Sequence, residues 1–517
     1  MTLSRAIATV GGWTMASRLL GFVRDILIAD RLGAGPLSDA FFVAFRLPNL
    51  FRSLFAEGAF NAAFVPQFAA VLTREGRAAA LAYAGRVLAV MLVALVPFTV
   101  LAELAMPALV LVLAPGFAGD ATTYALAVDL SRLTFPYLMF MALAALMAGV
   151  LNSLDRFAAA AAVPMLLNLA LIGALIGLGR VLETPAHALA WGVAFAGIAQ
   201  FVWLAVALAR NGTALRLPRP RLDPRVRRTL ALMVPGAIGA GVMQVNIVVG
   251  TMLASLLGAG AISWLYYADR VAQLPLGVIG VAVGVALLPL VSRRIAAGDE
   301  QGAADAQCRA IEGALLLTLP AAVALAVIPG PIMATLFQRG AFSLADSAAS
   351  ERALAAYAVG LPAFVLVKAL APGFFARHDT ATPVKVAAAA VVVNIVAALA
   401  LMQLLGHVGI ALATTLAGWL NALFLALLLR RRGHLRFDAR LRARVPRILV
   451  ASLVMGGALW GLARLSGDVW TSGGIARAGL LAAIVVAGLA VYAGAAAATG
   501  AARPADIGLL LRRSGRA

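Results

Sequence analysis

The sequence is poor in cysteine, with only Cys308 among 517 residues. A single thiol excludes an intramolecular disulfide and any metal cluster built on cysteines. The four histidines lie far apart and lack the spacing of metal ligands: His187, His378, His407 and His434. The sequence also lacks a P-loop, a zinc-binding HExxH motif and any nucleophile–histidine–acid set. We therefore predict a protein without a metal, a cofactor or a reaction centre, and not an enzyme.

Charged residues are scarce as well. Soluble domains carry about 25% charged residues, whereas this chain carries 12% and is 63% hydrophobic, with a mean hydropathy of +0.97. Nearly every part of the chain must be covered by lipid or by other apolar segments, which predicts an all-α polytopic membrane protein. No polar stretch is long enough to form a soluble domain, so the net charge of +20 does not indicate nucleic-acid binding.

Apolar runs of about 20 residues, the length of a helix that crosses a bilayer, predict fourteen membrane spans. The spans cover residues 8–31, 37–70, 82–113, 125–152, 158–179, 187–209, 228–257, 262–292, 308–336, 350–375, 382–404, 408–430, 446–465 and 475–499. The N-terminus lacks a signal-peptide cleavage pattern, so we expect the first span to be retained.

Loop charge gives the orientation of these spans. The most basic loops are ARNGTALRLPRPRLDPRVRR (209–228) and RRRGHLRFDARLRARVPR (430–447), and both follow even-numbered spans. Loops after odd-numbered spans, such as PGFAGDATT (115–123), carry little positive charge. The positive-inside rule then predicts that both termini lie in the cytoplasm.

The sequence contains an internal repeat. RLGAGPLSDAFFVAFRLP (31–48) resembles LLGAGAISWLYYADRVAQLP (256–275). In both copies a span ends, LGAG forms a turn, and the next span runs through charged residues to a proline. In this repeat, spans one and two are equivalent to spans seven and eight, and both copies cross the membrane in the same direction. This predicts two pseudo-symmetric lobes related by an axis along the membrane normal.

Charges concentrate in spans one, two and eight. They include Arg18, Arg24, Asp25, Asp39, Arg46, Arg52, Glu57, Asp269 and Arg270. One interpretation is structural, with ion pairs Arg18–Asp25 and Asp39–Arg46, because residues seven apart share a helix face. Pairing does not explain why the charges cluster in so few spans. The other interpretation is a water-filled cavity, which tolerates unpaired charge and whose guanidinium groups suit phosphate.

Span ten contains a further cation, Lys368, for which snorkelling or pairing are the structural alternatives. Spans eleven and twelve contain no carboxylate, so the sequence indicates no clear cation site there. Without nucleotide motifs, energy must come from an ion gradient, the membrane potential, a partner or the gradient of the substrate.

The stretch SRLLGFVRDILIADRLGAGPLSDAFFVAFRLPNLFRSLFAEGAFNAAFVPQF (17–68) resembles the start of the MurJ/MviN lipid II flippases. LFQRGAF (336–342) and LVKALAPGFFARHDTATPVK (366–385) are similar to the same family, a branch of the multidrug/oligosaccharidyl-lipid/polysaccharide exporter superfamily. The resemblance implies fourteen helices: an N-lobe (1–216), a C-lobe (217–440), and two helices with a cytoplasmic tail (441–517) that line a lipid groove. The lobes would be six-helix units around a central cavity.

The resemblance also implies the function, which is transfer of lipid II from the inner to the outer leaflet of the bacterial cytoplasmic membrane. Lipid II is the undecaprenyl-pyrophosphate disaccharide pentapeptide used in peptidoglycan biosynthesis. The expected partners are lipid II, membrane lipids and cell-wall synthesis proteins, with no nucleic acid, and the chain is expected to be a monomer. The expected mechanism is alternating access, driven by the membrane potential or an ion gradient. A flippase for another polyprenyl-pyrophosphate saccharide and a drug/ion antiporter of the superfamily are the alternatives.

Family cavity arginines match four positions here, which we predict to bind the pyrophosphate: Arg18, Arg24, Arg52 and Arg270. Gating or cavity ion pairs are expected from Asp25, Asp39, Arg46, Glu57 and Asp269. Gln273 stands where many relatives have an acid, so a gating salt bridge is not expected there.

Overall fold

The computed structural model describes residues 3–52, 60–467, 470 and 474–502, which are helical with short turns and contain no strand. In these ranges the helices are α1 (Leu3–Leu32), α2 (Pro36–Arg52), α3 (Phe60–Leu104), α4 (Met106–Leu113), α5 (Ala121–Thr134), α6 (Tyr137–Ser153), α7 (Phe157–Gly177), α8 (Pro185–Arg210), α9 (Pro224–Ser255), α10 (Ala261–Pro275), α11 (Val281–Ala296), α12 (Glu300–Val327), α13 (Pro329–Phe337), α14 (Leu344–Phe375), α15 (Ala381–Leu405), α16 (His407–Arg431), α17 (Ala439–Leu465) and α18 (Gly474–Ala498). A 3-10 turn (Pro115–Gly119) precedes α5, and a π-helical segment (Leu276–Gly280) joins α10 to α11.

Ten helical segments in the described ranges are long and apolar enough to cross a membrane. They are Ala63–Leu104, Ala121–Ser153, Phe157–Gly177, Pro185–Arg210, Glu300–Val327, Leu344–Phe375, Ala381–Leu405, His407–Arg431, Ala439–Leu465 and Gly474–Ala498. This confirms the prediction of an all-helical protein with many membrane spans. Predicted spans one, two, seven and eight, which contain the repeat, fall outside this set.

The structure has a kink between predicted spans two and three. The prediction ended span two at residue 70 and began span three at residue 82. Residues 53–59 of predicted span two lie outside the described residues. Inside α3, between these two predicted spans, Gly76 has a non-helical conformation (φ 83°, ψ 176°) that suits a residue without a Cβ, so the helix is kinked there. The stretch TREGR (73–77) around Gly76 is polar, which is why hydropathy ends predicted span two before it.

Both copies of the repeat form a helix–turn–helix. The first turn joins α1 to α2 and the second joins α9 to α10. The equivalent glycines Gly33 and Gly258 both have positive φ, 64° and 92°. A β-carbon is disfavoured in this backbone region, which explains why glycine occupies both positions.

Pro48, inside α2, ties this helix to α5. Proline has no N–H to bond the carbonyl four residues earlier. That carbonyl belongs to Ala44, and it accepts a hydrogen bond of 3.0 Å from the buried Thr134 hydroxyl of α5. One residue further on, the Asn49 side-chain amide donates to the Phe45 carbonyl at 2.7 Å. The proline therefore anchors the charged helix α2 against its neighbour.

The chain forms two compact units, residues 1–263 and 264–517. The first contains a buried cluster of aromatic and aliphatic side chains from α3, α6 and α8, with Phe64 stacked on Tyr83. The second contains a buried cluster from α11, α12, α14 and α16 that includes Cys308, Phe374 and Leu425. The predicted lobe boundary at residue 216 remains a prediction.

Candidate anion-binding site

The first unit buries an arginine of α1 among polar partners. Arg24 and Asp25 are 5% and 2% exposed. The Nη2 and Nε atoms of Arg24 donate to Asp25 Oδ1 at 2.7 and 3.0 Å. Arg24 Nη1 donates to Asn168 Oδ1 of α7 at 3.0 Å, and the Asn168 amide donates to the Ser17 carbonyl at 2.9 Å. These four residues, which we call the Arg24 cluster, fix the orientation of a charged side chain at a helix–helix contact.

Gly21 of α1 faces Asn168 of the Arg24 cluster, and an alanine would also fit there. A β-carbon placed on Gly21 of α1 would lie 3.5 Å from the Asn168 side-chain nitrogen, which is ordinary van der Waals contact. A larger side chain at Gly21 would displace the amide. The backbone of α1 thus brings Asn168 within reach of Arg24.

Two more arginines lie on α2. Arg46 Nη1 donates to Thr251 Oγ1 of α9 at 2.6 Å, and Arg52 Nε donates to Asn49 Oδ1 at 3.1 Å. The buried Tyr137 of α6 lies within electrostatic range of both Arg52 and Arg24. Arg46 and Arg52 thus each donate to a neutral polar side chain of the first unit.

The other predicted residues of the first unit have different surroundings. Arg18 is exposed on α1. Asp39, 1% exposed, accepts hydrogen bonds from the backbone N–H groups of Gly260 (2.6 Å) and Ser263 (2.8 Å) and from the Ser263 hydroxyl (2.5 Å). Its carboxylate thus caps the first turn of α10, which favours negative charge. Glu57 lies outside the described residues.

The second unit contributes Arg270 and Asp269, both on α10. The Arg270 guanidinium carbon lies 4.9 Å from the centre of the Tyr266 ring, a cation–π geometry. Gln273 donates to the Asp269 carboxylate one turn away. The glutamine that replaces the expected acid is therefore a hydrogen-bond partner of Asp269.

Sequence reasoning missed Asn168 and Thr251. Each is a polar residue inside a predicted span, and that isolation was the available signal. It also missed a cluster of the second unit in which the carboxylate of Glu312 (α12, 5% exposed) receives hydrogen bonds from three arginines: Arg309, Arg440 and Arg444. Among the described residues, no three His, Cys, Asp or Glu side chains lie close enough to hold a metal ion.

The chemistry available here is anion binding. Guanidinium groups present planar, forked N–H donors that match phosphate oxygens in pairs. At Arg24 a carboxylate and an amide already hold that fork at a helix contact. The fold and the site together define a multi-span helical membrane protein with built-in cationic groups.

Comparison with known proteins identifies the family. The sequence profile described as lipid II flippase MurJ matches residues 28–480. A probable lipid II flippase MurJ from Rhizobium tropici is 48% identical over 463 residues, which cover 89% of this chain and 87% of that protein. The chain belongs to the lipid II flippase MurJ family, a family of transporters and not of enzymes, as the sequence resemblance predicted.

Solved structures show the same fold. A lipid II flippase MurJ in an inward closed conformation superposes with a TM-score of 0.79 at 24% identity, covering 94% of this chain and 98% of that one. An inward-facing multidrug resistance MATE transporter of the MOP superfamily gives a TM-score of 0.69 at 16% identity, covering 80% and 94%. At these identities the likeness concerns the fold alone.

Proposed function

We propose that this protein moves lipid II from the inner to the outer leaflet of the bacterial cytoplasmic membrane by alternating access, with Arg18, Arg24, Arg52 and Arg270 binding the pyrophosphate. The observation that carries the proposal is the Arg24 cluster, in which a guanidinium 5% exposed is held between a carboxylate and an amide. The matched family and the relatives named as lipid II flippases supply the substrate.

Asp25 then acts as a counterion that the substrate replaces. A buried arginine without a partner is costly, so an acid beside it stabilises the substrate-free protein. An incoming pyrophosphate offers more anionic oxygens than one carboxylate and competes for the same N–H donors. Exchange of partners at Arg24 links substrate binding to a change in the packing of α1. Asp39, Arg46, Glu57 and Asp269 are the further gating or cavity pairs in this proposal.

The proposed architecture has fourteen spans. Ten of these spans are the apolar segments listed above. The other four are α1, α2, α9 and the run α10–α11, which correspond to predicted spans one, two, seven and eight. Residues 1–216 and 217–440 would form two six-helix lobes around a central cavity, and 441–517 the lipid-groove helices and tail. The basic loops support a cytoplasmic location for both termini.

The remaining elements of the proposal follow from the substrate. The polyprenyl tail stays in lipid while the head group crosses, and the membrane potential or an ion gradient supplies the energy. Proteins of cell-wall synthesis are the proposed partners of a monomeric transporter.

The experiment that tests the proposal uses cells depleted of this protein and rescued by wild type, Arg24→Ala, Arg24→Lys or Arg74→Ala. The last is a matched control, because Arg74 is exposed in the basic turn before Gly76. We would measure polyprenyl-linked wall precursor exposed on the outer leaflet as a fraction of the total pool, with membrane abundance of each variant as a check on folding. We expect wild type and Arg74→Ala to restore exposure and Arg24→Ala to fail at equal abundance.

Unchanged exposure on depletion, in a strain with no second flippase, would show that the substrate is a different anionic lipid. Full rescue by Arg24→Ala would show that the Arg24–Asp25 pair is structural. Arg24→Lys keeps the charge without the fork, so partial rescue by this variant separates charge from paired hydrogen bonding.

A further inference from the structure

Lys368 is a cation inside a membrane-spanning helix that the site described above does not use. It lies on α14, seven residues before the helix ends at Phe375, and its side chain is exposed. No carboxylate among the described residues pairs with it. A lysine near a helix end would ordinarily extend along the lipid toward the interface.

The contact of Lys368 with Gly280 argues against that position. A β-carbon on Gly280 would lie 2.7 Å from Lys368 Cδ and 3.1 Å from Cε, so the lysine stem occupies the space that a side chain at Gly280 would fill. Gly280 is close to the midpoint of the run from Ala261 to Ala296. The stem therefore points toward the middle of a helical run and away from its ends. The Cα–Cβ bond, which tilts toward the helix N-terminus, leads the side chain the same way.

The backbone at this contact is irregular. Pro275 removes one helical N–H donor, and Leu276–Gly280 forms a π-helical segment directly after it. Single π-helical turns inside α-helices occur often at functional sites. Here the segment ends with the glycine that makes room for Lys368.

We propose that Lys368 is a substrate-binding residue whose ammonium binds an anionic oxygen group of the lipid II head, either the pyrophosphate or a peptide carboxylate. This inference rests on the proposed function. A lysine ammonium at membrane depth requires an anionic partner or water, and the substrate supplies the anion. Gly280 is a positioning residue for this contact.

The chain offers a direct test, because Lys368 and Lys385 are its two lysines. Purified full-length protein in detergent would be treated with a membrane-permeant amine-reactive ester, and modification of each lysine followed by mass spectrometry. Lys385, exposed near the start of α15, is the internal control. We expect Lys368 to react in the substrate-free protein and to be protected by saturating lipid II, while Lys385 reacts at the same rate in both.

Four lipids identify the group that is bound: lipid II, undecaprenyl pyrophosphate, undecaprenyl phosphate and undecaprenol. Protection by undecaprenyl pyrophosphate assigns Lys368 to the phosphates, and protection by lipid II alone assigns it to the peptide. Equal protection by the neutral undecaprenol would overturn the proposal. So would an unchanged rate at Lys368 in protein that binds lipid II. Failure of wild type to bind lipid II at all would instead overturn the proposed function.

Variants test the same contact without labelling. Lys368→Gln should weaken lipid II binding about tenfold, the typical loss for one hydrogen bond to a charged group, while Lys368→Arg retains most of it and Lys385→Gln has no effect. Gly280→Ala should displace the lysine stem and weaken binding, whereas Gly284→Ala, where a β-carbon meets nothing within 4 Å, should not. Equal binding by Lys368→Gln and wild type would contradict the proposal.

Discussion

Asn168 holds the Arg24 cluster together, since its carbonyl accepts from Arg24 and its amide donates to Ser17. Asn168→Leu removes both bonds in a buried place, and unsatisfied buried groups cost about 1–3 kcal/mol. We expect a lower thermal unfolding midpoint in detergent and weaker rescue in depleted cells. Asn152→Leu, at an exposed position of α6, is the control and should change stability by less than about 0.5 kcal/mol. Equal midpoints for the two variants would contradict this role.

Asp379, in the turn between α14 and α15, gives a prediction for pH. Hydrogen bonds from Arg432 (2.5 Å) and from Thr382 hold the pKa of this carboxyl well below its usual value. A lowered pKa means that the carboxylate stabilises the fold above the ordinary aspartate pKa of about 3.9, and that this contribution is lost as the pH falls. The difference in unfolding midpoint between wild type and Asp379→Asn should be constant from neutral pH to about pH 5 and shrink below about pH 4. A difference that persists at low pH would rule out this origin, and Asp305→Asn, at an exposed position of α12, should show little difference throughout.

At the scale of single residues, the structure tests the predicted partners of the arginines, while their role in binding stays a prediction. Helical periodicity suggested Arg18–Asp25, but Asp25 pairs with its neighbour Arg24. Periodicity describes where Cβ atoms point, whereas a long arginine side chain can fold back to an adjacent residue. Asn168 is 144 residues from Arg24, and local patterns carry no information on such a contact.

At the scale of helices, the contact between α12 and α17 depends on the carboxylate of one residue, Glu312. Glu312 of α12 is 5% exposed and binds Arg440 and Arg444 of α17 as well as Arg309. Removing one partner of a buried ion pair costs about 3–5 kcal/mol. The cost here should lie toward the lower end, because the Arg440 side chain is 48% exposed.

We expect Glu312→Gln to lower the thermal unfolding midpoint of the purified protein markedly. Glu75→Gln is the matched control, because its pair with Arg225 is 42% and 46% exposed and surface pairs contribute about 0–1 kcal/mol. Hydrogen exchange of α17 should rise in Glu312→Gln alone. A loss in Glu75→Gln as large as in Glu312→Gln would contradict the assignment.

The positions of the helices followed from hydropathy, whereas the local geometry of their interruptions did not. Predicted spans five, six, eleven and twelve lie within two residues of α7, α8, α15 and α16 at each end. The kink at Gly76 falls between residues 70 and 82, where hydropathy separates predicted spans two and three, but hydropathy does not predict its backbone conformation. Only part of the effect of Pro48 could be predicted. The sequence predicts a kink at this proline, but it does not predict that Thr134 donates to the freed carbonyl of Ala44.

The proposed orientation of the whole molecule can be tested with its single thiol. Cys308 is buried and can be replaced by alanine to give a cysteine-free chain. Ala118→Cys and Arg219→Cys, both at exposed positions, then report on an odd-numbered and an even-numbered loop. An impermeant maleimide should label Ala118→Cys in outer-membrane-permeabilised cells and Arg219→Cys only after the inner membrane is opened. The reverse pattern would invert the proposed topology.

Composition alone predicted a membrane protein, because a chain with 12% charged residues has too little polar surface for most of it to face water. The division into units 1–263 and 264–517 could not be predicted in the same way. It depends on contacts between distant helices, such as Arg46 of α2 with Thr251 of α9. Loop charge and repeats describe the order of spans and not the packing among them.

The carboxylate of Asp39 has a consequence for genetics. Of the three donors described above, two are backbone N–H groups, which every residue except proline supplies. Ser263→Ala removes only the hydroxyl donor. At position 39, an apolar residue loses the acceptor for all three donors, and asparagine keeps only one of the two acceptor oxygens. A saturation mutagenesis scan should therefore find position 39 intolerant and position 263 permissive. The hydrogen bonds between the start of α2 and the start of α10 would then produce no covarying pair of residues, because the backbone donors at the start of α10 do not depend on the side chain. This holds however strongly selection maintains the contact.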